Sequence, residues 1–227
     1  MCEYCLANDP VSLTGVRRKM RPTEMPLNVS EDRVVGSLCM ERAIKTKEKV
    51  FEPGVLAEAN RGILYIDEVN LLDDYIVDVI LNAAAMAHNI VEREGVSFGR
   101  PSRFILVGTM NLEEGELRPQ LQDRFALWVE IEGIADPSLR LDVIKRREEF
   151  DRDPGAFFHC HIGSQEELSK RILQAQECLS EVHLKDGLLE KIVDIAGSMA
   201  LYGHLADITI AKAALALAAY NRRREVE

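Results

Sequence analysis

The sequence predicts an α/β core followed by an all-α region, and three observations predict it. Two short runs of consecutive apolar residues, Ile63-Leu64-Tyr65-Ile66 and Phe104-Ile105-Leu106-Val107, read as strands buried on both faces. Between them, Leu71, Leu72, Tyr75, Ile76, Val79, Ile80 and Ala83 recur at helical spacing. Beyond Asp136-Pro137 the apolar pattern is helical throughout.

Residues 1–30 read as loop, punctuated by Asn8-Asp9-Pro10, Arg21-Pro22 and Met25-Pro26. Residues 31–60 mix short helical stretches with turns such as Glu52-Pro53-Gly54. Residues 89–99 alternate and break at Gly95 and Gly99, which suggests a hairpin. Leu127-Trp128-Val129-Glu130-Ile131 reads as a third core strand, so strand–helix–strand order suggests a parallel sheet. Residues 138–152 read as a charged helix, broken at Asp153-Pro154-Gly155. Helical period then covers 164–182, 186–201 and 206–223. The expected domains are an α/β core over 1–135 and a linker with a helical domain over 136–227.

The 227 residues are 47% hydrophobic and 29% charged, enough for one good core or a medium domain plus a small one. A formal net charge of −10 does not pre-set the chain for nucleic acid or an anionic membrane. No run of about 18 apolar residues predicts a membrane span, and the N-terminus does not read as a signal peptide. The five scattered cysteines suit a reducing cytoplasm better than a disulfide scaffold. Cys2-x-x-Cys5 supplies two metal-type ligands where structural zinc takes four. His159-Cys160-His161 is the other possible source, but adjacent residues do not converge on one ion without an unusual turn.

The chemistry-bearing signal is the apolar strand ending in Asp67-Glu68. At the carboxyl end of a buried parallel strand, side chains emerge where α/β sheets bind ligands. An Asp there suits a water-mediated Mg²⁺ on phosphate oxygens, and the adjacent Glu suits proton removal from an attacking water. Val107-Gly108-Thr109-Met110-Asn111 ends the second strand on Asn111, a candidate partner for a γ-phosphate or the lytic water. Asp123-Arg124-Phe125 offers Arg124, a candidate to reach a phosphate across a subunit boundary. Taken singly, these are also a solvated acidic turn, a post-strand Asn turn and a surface ion pair.

Their order and linkage carry a resemblance. The stretches 31–38 and 51–72, Val91-Glu92-Arg93-Glu94-Gly95, 107–111, 113–121 and Ala135-Asp136-Pro137 resemble the ATPase (I) subunit family of magnesium chelatase. The similarity spans about residues 24–226 and is more specific than a generic Walker B strand. It implies a partial AAA+ P-loop NTPase core, a parallel sheet with helices, followed by an all-α lid. It implies a ring with ATP and Mg²⁺ between subunits, working with D-type and porphyrin-binding H-type subunits in the cytoplasm. The implied activity is ATP hydrolysis driving Mg²⁺ insertion into protoporphyrin IX, without nucleic acid or membrane. Matched residue by residue, Asp67 and Glu68 fall on Walker B, Asn111 on sensor 1 and Arg124 on the arginine finger. Residues 89–103 match the hairpin before sensor 1, and 28–50 the insertion in the second core helix.

Two motifs of that family are not met. No Gly-Lys dipeptide occurs, so the Walker A phosphate loop is not in these residues. The chain thus reads as starting late in the family's pattern, and these residues alone are expected to bind ATP weakly or not at all. In Gly203-His204-Leu205-Ala206-Asp207, Leu205 stands where the family carries its sensor 2 Arg. Three readings follow: a fragment of a chelatase-type ATPase, a non-hydrolysing ring subunit lending Arg124 in trans, or a MoxR-type ATPase.

Overall fold

The computed structural model describes residues 20–38, 51–93, 96–115, 121, 125–198 and 204–227. Contacts group the chain into two compact units, Met1–Arg124 and Phe125–Glu227.

The first unit is built on a three-stranded parallel sheet of β1 (Thr23–Met25), β4 (Ile63–Ile66) and β7 (Ile105–Gly108), with β4 in the centre. The register sets Leu64 opposite Thr23 and Leu106, and Ile66 opposite Met25 and Gly108. Leu64 and Ile66, on one face of the central strand, are essentially solvent-free, while Ile63 and Tyr65 on the other face are half-buried and Ile105 and Val107 of β7 are exposed. The expectation of strands buried on both faces thus holds for neither run among the described residues, and only one face is covered. β1 corrects the expectation of loop over residues 1–30. It is three residues long and sits between Pro22 and Pro26, too short for any period. Pairing with β4 makes it a strand, and no local signal carries that pairing.

Two small antiparallel pairs flank the sheet residues in sequence. β2 (Gly36–Leu38) pairs with β3 (Phe51–Pro53), and β5 (His88–Arg93) pairs with β6 (Val96–Pro101), the hairpin expected over 89–99. The short helices α1 (Glu31–Val35) and α2 (Val55–Glu58) match the helical stretches expected over 31–60. Gly54 makes their meeting possible: a Cβ there would lie 2.5 Å from the Val34 carbonyl oxygen and 2.5 Å from the Gly36 nitrogen.

Helix α3 (Asp74–Met86) buries Ile76, Ile80 and Ala83 of the predicted face together with Val77 and Leu81, whereas Tyr75 and, before the helix, Leu71 are exposed, so the buried face is rotated from the one its sequence period predicts. The buried side chains, with Val34, Leu56, Leu64, Ile66 and Leu72, make the core of this unit. Two polar groups enter it with partners. Asn89 donates from Nδ2 to the Val35 carbonyl at 2.8 Å, and Ser102 donates from its hydroxyl to the Leu56 carbonyl at 3.3 Å.

The third expected strand, Leu127-Trp128-Val129-Glu130-Ile131, does not form. The run is irregular and open to solvent, with Val129 79% and Ile131 90% exposed. Strand propensity becomes strand only where a neighbour supplies ladder hydrogen bonds, and none of the described strands pairs with this run.

The second unit is helical. Helix α4 (Pro137–Arg152) starts on an Asp136 cap that accepts from the Ser138 amide at 2.8 Å, with Pro137 in its first turn. The break at 153–155 exists, but it is one residue wide. Asp153 ends α4 and caps α5 (Pro154–Cys178), accepting from the Ala156 amide at 2.9 Å. The helix expected from 164 therefore starts ten residues earlier, because Asp-Pro is a helix start as well as a helix stop. Helices α6 (Asp186–Ser198) and α7 (Leu205–Tyr220) follow. Val182, Ala218 and Ala219 form a small buried cluster, joined by Ala175, Leu215 and Val226. Arg171 fixes α5 on the end of α7: its guanidinium lies 3.9 Å from the Tyr220 ring centroid and donates to the Asn221 side chain at 3.1 Å.

Candidate functional site

The chain leaves β4 at Ile66 and turns at once. Asp67 is exposed, and Glu68 sits in the left-handed region at φ 52° and ψ 51° before a 3₁₀ turn over Val69–Leu71. That conformation costs a non-glycine residue about 1–2 kcal/mol, so surrounding contacts must hold it. The contacts come from the residue after β7. The Thr109 amide donates to the Ile66 carbonyl at 3.0 Å, and the Val69 amide donates to the Thr109 carbonyl at 2.9 Å. The parallel ladder between β4 and β7 thus continues past the ends of both strands.

The Thr109 side chain adds a second layer. Its hydroxyl donates to Oδ1 of Asp67 and accepts from the Glu68 backbone amide at 3.3 Å. Tyr65, on the same strand face as Asp67, donates its phenolic hydroxyl to the same Oδ1 at 3.2 Å. Both hydrogen bonds from described residues therefore fall on one carboxylate oxygen of Asp67. Oδ2 remains able to accept from water or a water-coordinated ion.

The two predicted acids thus lie together at the carboxyl end of the central parallel strand. Asn111 lies two residues beyond Thr109, exposed, as the cap of a 3₁₀ turn over Leu112–Glu114. Its side chain does not cap that turn, while its carbonyl accepts from the Glu114 amide at 3.1 Å. Arg124 lies outside the described residues. Leu205 opens α7 half-exposed; before it, His204 faces Asp207 at 3.7 Å.

Sequence reasoning missed Thr109 and Tyr65. Thr109 stood inside the 107–111 motif without a role, and Tyr65 alternates with Asp67, which is the signal that marks a shared strand face. Asn70, three residues beyond Asp67, has both side-chain polar atoms buried without a hydrogen-bond partner among the described residues.

Of the metal-type cysteines, Cys2 and Cys5 lie outside the described residues, and Cys160 is exposed on α5. His161 is turned inward along its own helix, Nδ1 lying 2.9 Å from the Phe157 carbonyl oxygen. Among the described residues no group of three His, Cys, Asp or Glu side chains gathers to hold an ion. Mg²⁺ fits Asp67 on other grounds, since this ion keeps several waters and takes one or two carboxylates plus phosphate oxygens. A groove of about 230 Å³ between α1, α3 and β5, lined by Glu31, Tyr75, Met86 and His88, lies elsewhere: neither acid lines it. No described helix is long and apolar enough to cross a membrane.

Known proteins resemble the chain along most of its length. The family model described as magnesium chelatase, subunit ChlI, matches residues 33–134. A magnesium-chelatase subunit ChlI homolog of Methanocaldococcus jannaschii is 52% identical over 227 residues, which is 100% of this chain and 62% of that protein. The magnesium-chelatase subunit ChlI of Anabaena variabilis is 48% identical, with 92% of this chain and 62% of that protein aligned. The chain thus spans less than two thirds of the length of these relatives. Among solved structures, a chain of a complex between subunits BchI and BchD of magnesium chelatase is 40% identical at a TM-score of 0.50. That match covers 92% of this chain and 71% of the solved one.

Proposed function

The chain belongs to the magnesium chelatase ChlI family, and from that premise we propose that it carries one half of a MgATP-hydrolysing site of a chelatase I-type subunit. The substrate reaction is insertion of Mg²⁺ into protoporphyrin IX, driven by ATP hydrolysis in a ring with D-type and porphyrin-binding H-type partners. We draw the boundary between core and lid at 135/136.

One observation supports this above the rest: Asp67 and Glu68 stand side by side at the carboxyl end of β4, tied to the end of β7 through Thr109. Asp67 is oriented to accept, on its second carboxylate oxygen, the hydrogen bond of an ion's water. When bound, Mg²⁺ supplies positive charge to the phosphate oxygens. Glu68 takes the proton of the attacking water on its carboxylate. Asn111 orients that water or a γ-phosphate oxygen through its amide. Arg124 reaches the phosphate of a neighbouring subunit and offsets the charge that develops there.

Leu205 favours a second reading. A Leu at the sensor 2 position cannot hydrogen-bond a phosphate, which suits a ring subunit that lends Arg124 while hydrolysing little itself.

Steady-state ATP hydrolysis by the full-length protein, alone and with D- and H-type subunits plus protoporphyrin IX, separates these readings. Mg²⁺-dependent hydrolysis that falls at least about a hundredfold in Glu68→Gln, together with porphyrin metallation, supports the first. Stimulation of an active I subunit by a chain that does not hydrolyse ATP supports the second. Hydrolysis without metallation in the complete mixture points to a different, MoxR-type task.

A further inference from the structure

We infer that Thr109 is the positioning residue of this site: one hydroxyl just past the end of the neighbouring strand orients both acids of the Asp67-Glu68 pair. The inference rests on the reading of those acids as the ion-facing and water-facing groups of a nucleotide site.

A hydroxyl offers one donor and two acceptor positions. That of Thr109 uses its donor on Oδ1 of Asp67 and an acceptor position on the Glu68 amide. The first contact selects which carboxylate oxygen of Asp67 is engaged and which faces outward. The second helps hold Glu68 in a left-handed backbone conformation, which aims its side chain away from the direction an extended residue would take. The main chain of Thr109 already fixes the separation of the two strand ends through Ile66 and Val69. The hydroxyl is therefore not required to hold the strands together. Asp67 is exposed and Glu68 partly so, so water can replace the hydroxyl in the folded protein. Any movement of the β7 end reaches both acids through this group, and Asn111 lies only two residues further on. Tyr65 shares Oδ1 of Asp67 and its hydroxyl makes no hydrogen bond to Glu68 among the described residues, so it supports one acid where Thr109 supports two.

The test compares Thr109→Val, Thr109→Ser and Tyr65→Phe in the full-length protein. Three measurements are made: the melting temperature, kcat and KM for MgATP, and Mn²⁺ binding by electron paramagnetic resonance with a non-hydrolysable ATP analogue. Val keeps the shape of Thr and replaces its hydroxyl with a methyl group, removing both hydrogen bonds. Thr109→Val is expected to lower kcat roughly tenfold and weaken Mn²⁺ binding roughly threefold, at an unchanged melting temperature. Thr109→Ser is expected to restore both to within about twofold, and Tyr65→Phe to weaken Mn²⁺ binding with a smaller loss of kcat. Thr109→Val matching the wild type in kcat and Mn²⁺ affinity overturns the inference. So does a loss that tracks a lowered melting temperature and is not rescued by Ser. A wild-type protein that neither binds Mn²⁺ with the analogue nor hydrolyses ATP overturns the nucleotide-site reading itself, and the role of Thr109 with it.

Discussion

The two units bury their apolar residues very differently. In the first, Leu56, Leu64, Ile66, Leu72, Ile80 and Val34 are all at most 2% exposed. In the second, α4 and α5 have no buried residue along 16 and 25 positions, and Leu139, Val143, Ile144 and Phe158 are about half exposed or more. The difference teaches what each element needs in order to form. A helix satisfies its backbone within one segment, so α4 and α5 exist with no fully buried residue, α5 covering only part of one face at positions such as Arg171 and Ala175. A strand needs a neighbour, so β4 forms between β1 and β7 while the largely apolar run 127–131, interrupted only by Glu130, stays irregular. Length gives α4 little autonomy: isolated helices of this size are marginal in water, and their stability comes mainly from packing.

Substitutions in the two units give the largest test of that contrast. Leu64→Ala is expected to cost about 2–5 kcal/mol in denaturant unfolding, as removal of a fully buried side chain does. Ile144→Ala on α4, 56% exposed, is expected to change stability by no more than about 0.5 kcal/mol. Equal losses at the two positions would break the comparison and mean that the exposed face of α4 is covered in solution.

A smaller effect tests the polar part of the first core. Asn89→Ala removes the hydrogen bond to the buried Val35 carbonyl and leaves that group unpaired, at an expected cost of about 1–3 kcal/mol in the same measurement. A loss near zero would mean that water reaches this carbonyl.

In the helical unit, Asp153→Ala should cost about 1 kcal/mol, because this side chain caps the first turn of α5. Circular dichroism melting of the variant checks it, and Asp153→Asn should retain most of the cap.

The smallest effect belongs to the exposed Lys185–Glu225 pair, whose charged groups lie 2.6 Å apart. The Lys185 ammonium, through its hydrogen bond first and its charge second, holds the Glu225 carboxyl below its ordinary value. Glu225 raises Lys185 for the same reasons. The contribution of Glu225 is thus present above the ordinary carboxylate range and lost as pH falls through its lowered value. That of Lys185 is present below the ordinary lysine value and lost as pH rises through its raised one. Solvent screens the pair, so Glu225→Gln is expected to flatten the acid limb of the melting-temperature profile slightly, and added salt should do the same. A large change would show that the pair anchors the chain end around the His183–Glu225 bridge more firmly than its exposure suggests.

Much of this was legible from residue order. The runs 63–66 and 105–108, the helix over 74–86 and the hairpin over 88–101 follow from local period and composition. So does the place of Asp67-Glu68, because an acid that ends a buried strand must emerge at the sheet edge. β1 was not legible, since three residues between two prolines carry no period. The early start of α5 was misread because Asp153-Pro154 both stops one helix and caps the next.

Local chemistry by itself determined the α/β-then-helical character, the acidic end of β4 and the absence of a Gly-Lys phosphate motif from these residues, because each depends only on which residues are adjacent. The tertiary structure alone decided that 127–131 is not a strand, that three residues near Pro22 are one, and that the hydroxyl of Thr109 holds both Asp67 and Glu68. Each of those depends on which segment lies alongside another. Ladder bonds and side-chain bridges join residues about 40 positions apart, beyond the reach of any local pattern.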